Sequence, residues 1–178
     1  MPRGRPMEQL ERELGAMMFE VPGDPQTQGS MRAIVRGRRA VVIHDKSRLV
    51  PWRDSIAAVA RSKGWGRGAL LDGAVKIELA FFVTRPALHF GKTGLRKFAP
   101  EHPHTNGGDL DKLVRAVGDA LTGVVWRDDR RIVSCHAVKQ YCDTHGVEPG
   151  VMIAIERLSP ELFDARAAAK PRTTRKSA

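Results

Sequence analysis

The stretch Gly107–Asp129, GGDLDKLVRAVGDALTGVVWRDD, decides how this 178-residue chain is read. Leu110, Leu113, Val114, Val117 and Leu121 recur at helical spacing and predict an amphipathic helix. Asp109 falls at its N-cap, Asp111 in its first turn, and Gly123 just past its end, where a helix commonly stops. A second acidic pair, Asp128 and Asp129, follows in the return. Grouped acids are unexpected in a chain with 30 Lys+Arg against 20 Asp+Glu and a formal net charge of +10. Carboxylates brought within ~4 Å of one another repel unless a proton or a cation intervenes.

Two readings of these acids compete. In one, Asp109 caps the helix, Asp111 favours its dipole and pairs with Arg115 at i,i+4, and Asp128 and Asp129 make a turn. In the other, both pairs supply hard oxygen ligands to magnesium, with manganese as a substitute, leaving positions for water and a substrate phosphate. An ion so held generates a nucleophile from water and neutralises charge on a phosphodiester under attack. Two acidic groups bracketing one helix in a basic protein favour the second.

Outward from this centre, AVKIELAFFVTRP alternates Val75, Ile77, Leu79, Phe81 and Val83 with Lys76, Glu78 and Thr84, which predicts a strand with one buried face. The connection from Arg85 to Gly108 has no clear periodicity and interleaves Arg85, Lys92, Arg96 and Lys97 with Phe90 and Phe98. It reads as a solvated loop or as a DNA contact. Upstream, SRLVPWRDSIAAVARSKGWG predicts a helix with Trp52, Ile56, Val59 and Ala60 on the core side and Gly64 as its stop. Before it, two short apolar runs flank Arg36, Gly37 and Arg38, a hairpin with a basic tip. Downstream, RRIVSCHAVKQYC and VMIAIERL read as strands, with a turn from Gly146 to Gly150. Residues 1–18 form an extension, 19–158 one domain, and 159–178 a short helix running into a basic, disordered tail.

Composition bounds the rest. Length and a 42% hydrophobic content suit a single folded domain, and the positive charge implies a polyanionic partner. No apolar run approaches the ~20 residues of a spanning helix, so a membrane partner is excluded and a cytoplasmic location expected. Cys135 and Cys142 read as buried free thiols on opposite faces of one strand, and their spacing to His136 and His145 matches no common zinc pattern.

The segment GGDLDKLVRAVGDALTGVVWRDDRRIV resembles the core motif of the RusA-type Holliday junction resolvases, with the aspartate pair, the helix ending in DALTG and the aromatic-then-DD return. VPGDPQTQGSMR is similar to the family's early VPGxPxxKGRxR segment, departing at Gln28, Ser30 and Met31. The resemblance implies an α/β (α+β) domain, a single compact unit with a mixed β-sheet packed by helices, acting as a homodimer on four-way DNA junctions. It implies metal ligation by Asp109, Asp111 and Asp129, with Asp128 a neighbour of open role. The family's catalytic basic residue falls at Arg115, where the best-known form has lysine. An arginine holds phosphate bidentately but gives up no proton at neutral pH, so Arg115 and Lys112 are assigned to phosphate contact. Hydrolysis would leave a 5′-phosphate and a 3′-hydroxyl in DNA recombination or repair, in a phage or bacterial setting. Arg32, Arg36, Arg38 and Arg39 of the hairpin, with Lys92, Arg96, Lys97 and Arg115, are the expected DNA contacts, their affinity dominated by phosphate. Two alternatives stand beside it: a flap or fork nuclease of the same fold, and a non-catalytic basic DNA-binding protein whose aspartates only cap and pair.

Overall fold

The computed structural model describes residues 17–29, 31–36, 39–44, 47–66, 68 and 70–158; for 31–36 and 39–44 the description is of the backbone alone. The first strand, β1 (Met17–Pro22), starts inside the segment expected as an extension. The expected hairpin follows, β2 (Met31–Arg36) and β3 (Arg39–His44), paired antiparallel with Arg36 opposite Arg39. Its tip at Arg38, like the terminal segments 1–16 and 159–178, lies outside the described residues. Helix α1 (Leu49–Ser62) leads to β4 (Val75–Val83). Helix α2 (Leu110–Leu121), β7 (Ile132–Tyr141), the single-turn helix α3 (Cys142–His145) and β8 (Gly150–Arg157) complete the chain.

The main sheet has the order β1-β8-β4-β7. Strand β8 runs antiparallel to both β1 and β4, and β4 runs parallel to β7. This is the mixed sheet expected. Its core face follows from period-two alternation: Val75, Ile77, Leu79 and Phe81 of β4, Val151, Ile153 and Ile155 of β8, and Phe19 and Val21 of β1 are all buried. Helices α1 and α2 cover that face with Trp52, Ile56, Ala57 and Ala60 from the first and Leu113, Val117, Ala120 and Leu121 from the second. The two helices are also bridged at their surface, where the Arg53 guanidinium donates to the Asp119 carbonyl at 3.2 Å and pairs with its carboxylate at 3.8 Å. The return Val124–Trp126 is buried as well, so Trp126 is a core residue.

Three expectations are corrected. The connection from Arg85 to Gly108 is not structureless: it contains a 3-10 turn (Ala87–His89) and a small hairpin, β5 (Phe90–Gly91) with β6 (Gly94–Leu95). These pieces were too short for periodicity to register. Arg85 belongs to the interior and is only 5% exposed. Its Nε donates to Asp143 at 2.8 Å, Nη1 to the Pro100 carbonyl at 2.6 Å and Nη2 to the Thr144 hydroxyl at 3.2 Å. Cys142 opens α3 instead of continuing β7, and Cys135 is exposed while Cys142 is buried; both are free thiols. No described helix is long and apolar enough to cross a membrane.

Because Phe81 is fully buried on the core face of the interior strand β4, Phe81→Ala should cost about 3–5 kcal/mol through the cavity it leaves. Val133, 56% exposed on the edge strand, should tolerate alanine within ~0.5 kcal/mol. Urea unfolding of the two variants checks this, and equal losses would contradict the layering.

Candidate active site

Strands β4 and β7 are parallel, so the chain must cross from the end of β4 back to the start of β7, and α2 makes most of that crossing. The acids therefore fall at the two corners of the crossover. Asp109 is the N-cap residue of α2, with extended backbone. Its side chain makes no capping hydrogen bond; the carboxylate turns to the Lys112 ammonium at 2.5 Å. That contact, and the charge behind it, hold the Asp109 carboxyl below its usual range and push the Lys112 amine up. Asp111 is exposed and makes no salt bridge to a described residue. The expected ion pair from Asp111 to Arg115 is absent among the described residues, and Arg115 stands exposed on the solvent side of α2.

At the other corner, Asp128 opens a 3-10 turn (Asp129–Arg131). Its carboxylate accepts from the Arg130 backbone N–H at 2.9 Å and from the Arg130 guanidinium at 3.0 and 2.9 Å. The guanidinium first, then the backbone N–H, depress the Asp128 carboxyl to about 2. Asp129 is exposed. Arg131 reaches Asp72 at 2.7 Å, and the Leu71 N–H donates to the Val125 carbonyl at 2.8 Å, which fixes this corner to the chain before β4.

The two acidic pairs do not converge within one chain. The 12 residues of α2 at ~1.5 Å each span about 18 Å, and Asp128 and Asp129 leave from the far end. Among the described residues, no three His, Cys, Asp or Glu side chains form a ready metal-binding group. Within one protomer the expected ligands Asp109 and Asp111 therefore stand apart from Asp129 and its neighbour Asp128. The physical reason is the parallel pairing of β4 and β7, which holds the two corners of the crossover at opposite ends of those strands.

The turn that delivers Asp109 is held with unusual care. Gly107 and Gly108 have φ of +76° and +75°. A Cβ on Gly107 would lie 2.8 Å from Val83 Cγ1, and one on Gly108 would collide with Thr27 Cγ2, so both positions demand glycine. Asn106 donates to the Thr84 carbonyl at 3.2 Å and accepts from the Tyr141 hydroxyl at 2.7 Å. The Arg85 guanidinium stacks 3.7 Å from the centre of the Tyr141 ring. The Lys139 ammonium donates to the carbonyls of Asn106 at 2.9 Å and Gly108 at 2.5 Å. From the other side, the Gln28 N–H donates to the Lys112 carbonyl at 3.0 Å. A cavity of about 240 Å³ opens beside the turn, lined by Asp24, Gln26, Thr27, Thr84 and the 106–108 backbone.

Asn106, Lys139 and Tyr141 were not among the residues anticipated for the site. Lys139 carried one legible signal: it shares strand parity with Ala137 and Tyr141 on the core face, where an apolar side chain is the rule. Of the expected DNA contacts, Lys92 and Lys97 are exposed. Arg96 is engaged locally, donating to the Phe90 carbonyl at 2.9 Å and lying 5.7 Å from the Phe98 ring centre. Arg32, Arg36 and Arg39 lie on the hairpin backbone, their side chains outside the description.

The donor set suits a hard divalent ion in kind, since every candidate ligand is a carboxylate oxygen and Asp111 and Asp129 are exposed. Comparison with known proteins assigns the family. A curated relative, the uncharacterized protein YqaN of Bacillus subtilis (strain 168), is 24% identical over 149 residues, covering 82% of this chain and 99% of the relative. The family model for endodeoxyribonuclease RusA matches residues 22–156. That match runs from the end of β1 through β8 and takes in the 106–108 turn, α2 and both aspartate pairs, so the chain belongs to the endodeoxyribonuclease RusA family.

Proposed function

We propose that the protein is a magnesium-dependent, structure-selective endodeoxyribonuclease that resolves four-way DNA junctions as a homodimer. The observation that carries this reading is the exposed pair Asp109 and Asp111 at the start of α2, in a family-matched chain of net charge +10. Carboxylates projecting from a polycation oppose the binding of DNA unless a metal ion lies between them.

Asp109, Asp111 and Asp129 are the proposed ligands. The geometry favours Asp129 over Asp128, whose oxygens are already committed to the Arg130 side chain and backbone. Asp109 would exchange Lys112 for the ion, which releases an ammonium within one helical turn of Arg115. Lys112 and Arg115 then face the scissile phosphate, the second as a bidentate donor. When bound, magnesium lowers the pKa of a water and shields the phosphodiester's charge.

An ion that draws on both ends of α2 needs two copies of the chain, each contributing one end, because ~18 Å of helix separates them within a protomer. Homodimerisation would thereby complete the site as well as match the two strands of like polarity that a junction presents. Lys92 and Lys97, with the hairpin arginines, would add phosphate contacts and a steep salt dependence.

Cleavage of a mobile four-way junction beside a matched linear duplex tests the reading. Magnesium-dependent paired nicks confined to the junction and abolished in Asp111→Asn are expected, whereas equal cutting of both substrates would remove the junction selectivity. A second measurement separates the two neighbouring acids. In metal-free protein, the Asp128 contact stabilises the fold above the ordinary carboxylate value of 3.8 and is lost as pH falls through about 2. Carboxyl-carbon NMR should find a midpoint near 2 for Asp128, moving up toward 3.8 in Arg130→Gln.

A further inference from the structure

Lys139 occupies a position that the fold assigns to an apolar residue. Its partner across the parallel ladder is Phe81, and the neighbouring pairs on the same face are Leu79 with Ala137 and Val83 with Tyr141. Burial lowers the amine's pKa, so an ammonium is kept here at a cost, and two of its three hydrogens are spent on the backbone carbonyls of Asn106 and Gly108. Those carbonyls belong to the left-handed turn that immediately precedes Asp109, and the Lys139 charge also acts on the Asp109 carboxylate. The next core-facing residue of β7, Tyr141, holds the same turn through Asn106 and is itself backed by the buried Arg85. Lys112 is a different kind of cation: its side chain is 42% exposed, it sits on the same helix as Asp109, and its ammonium pairs with that carboxylate.

We propose that Lys139 is a positioning residue of the metal site: by clamping the 106–108 turn to β7 it sets the direction in which Asp109 and Asp111 face the ion. This rests on the metal-dependent reading above. Lys139 itself touches neither metal nor DNA. The lysine acts through the backbone, so its removal weakens ion binding without deleting a ligand, as loss of an outer partner does at other metal centres.

The test is Mn²⁺ binding to the full-length protein without DNA, followed by electron paramagnetic resonance, together with the Mg²⁺ dependence of junction cleavage. Wild type, Lys139→Met, Lys139→Arg and Tyr141→Phe are compared, with thermal unfolding in chelator as the control for folding. Lys139→Met should raise the Mn²⁺ dissociation constant about tenfold or more and raise the half-saturating Mg²⁺ in parallel, with kcat largely recovered at saturating ion. Tyr141→Phe, which removes one hydroxyl, should shift both in the same direction by roughly threefold. Lys139→Arg, which keeps the charge and donors, should restore at least part of the loss. If folded Lys139→Met or Tyr141→Phe bound Mn²⁺ as wild type does, the proposal would be overturned. Should Lys139→Met fail to fold, Tyr141→Phe and Lys139→Arg decide it on the same readout. Absence of Mn²⁺ binding in the wild type would overturn the metal reading as well, and the wild-type titration separates that failure from the first.

Discussion

The parallel pairing of β4 with β7 is the constraint on which the rest depends. Two adjacent parallel strands cannot be joined by a tight turn, so the chain must travel the length of the sheet and back. Helix α2 makes that journey, and its apolar stripe of Leu113, Val117 and Leu121 closes the core over β4. Both corners of the crossover are polar and accessible, and both carry aspartates. The same geometry that completes the core thereby separates the acidic pairs, which lie at opposite ends of the β4 and β7 strands.

The two corners are stabilised by different physics. The corner at Asp128 is local: a 3-10 turn closed by Arg130, with Arg131 and Asp72 outside it, all of it exposed to solvent and worth little to stability. The corner at Asp109 is tertiary. Its turn is set by two left-handed glycines wedged against Val83 and Thr27, and by side chains from β7 that lie 31 to 35 residues away in sequence. Behind them the buried Arg85 satisfies Asp143, Thr144 and the Pro100 carbonyl while stacking on Tyr141. A buried guanidinium is tolerated only when its donors are met, and here meeting them also ties α3 and the long connection to the site.

Charge is distributed to match. The aspartates stand in solvent at the start of α2, surrounded by a chain whose excess of lysine and arginine attracts a polyanion at long range. Local cations hold the acids in the absence of another ligand: Lys112 on Asp109, Arg130 on Asp128. Both contacts are between solvent-accessible side chains, so giving them up would carry a small penalty.

How much was legible beforehand differs by element. Helix α2, strand β4 and the β2–β3 hairpin could be read directly because each is a periodic pattern bounded by its own stop signals, and the motif around Asp109 and Asp128 carried the family with it. The identity of the acidic and basic residues was therefore determined by sequence. Their separation was not, because distance between the ends of α2 depends on the parallel ladder, a pairing between residues far apart in the chain. Arg85 was read as a surface contact because charge alone does not reveal that Asp143, Thr144 and Pro100 converge on it. Lys139 was passed over for the same reason: its partners are backbone carbonyls of a distant turn, and carbonyls leave no mark on a sequence. Local periodicity and capping write themselves into residue order, whereas burial of a charge and the direction a turn faces exist only once strands have paired.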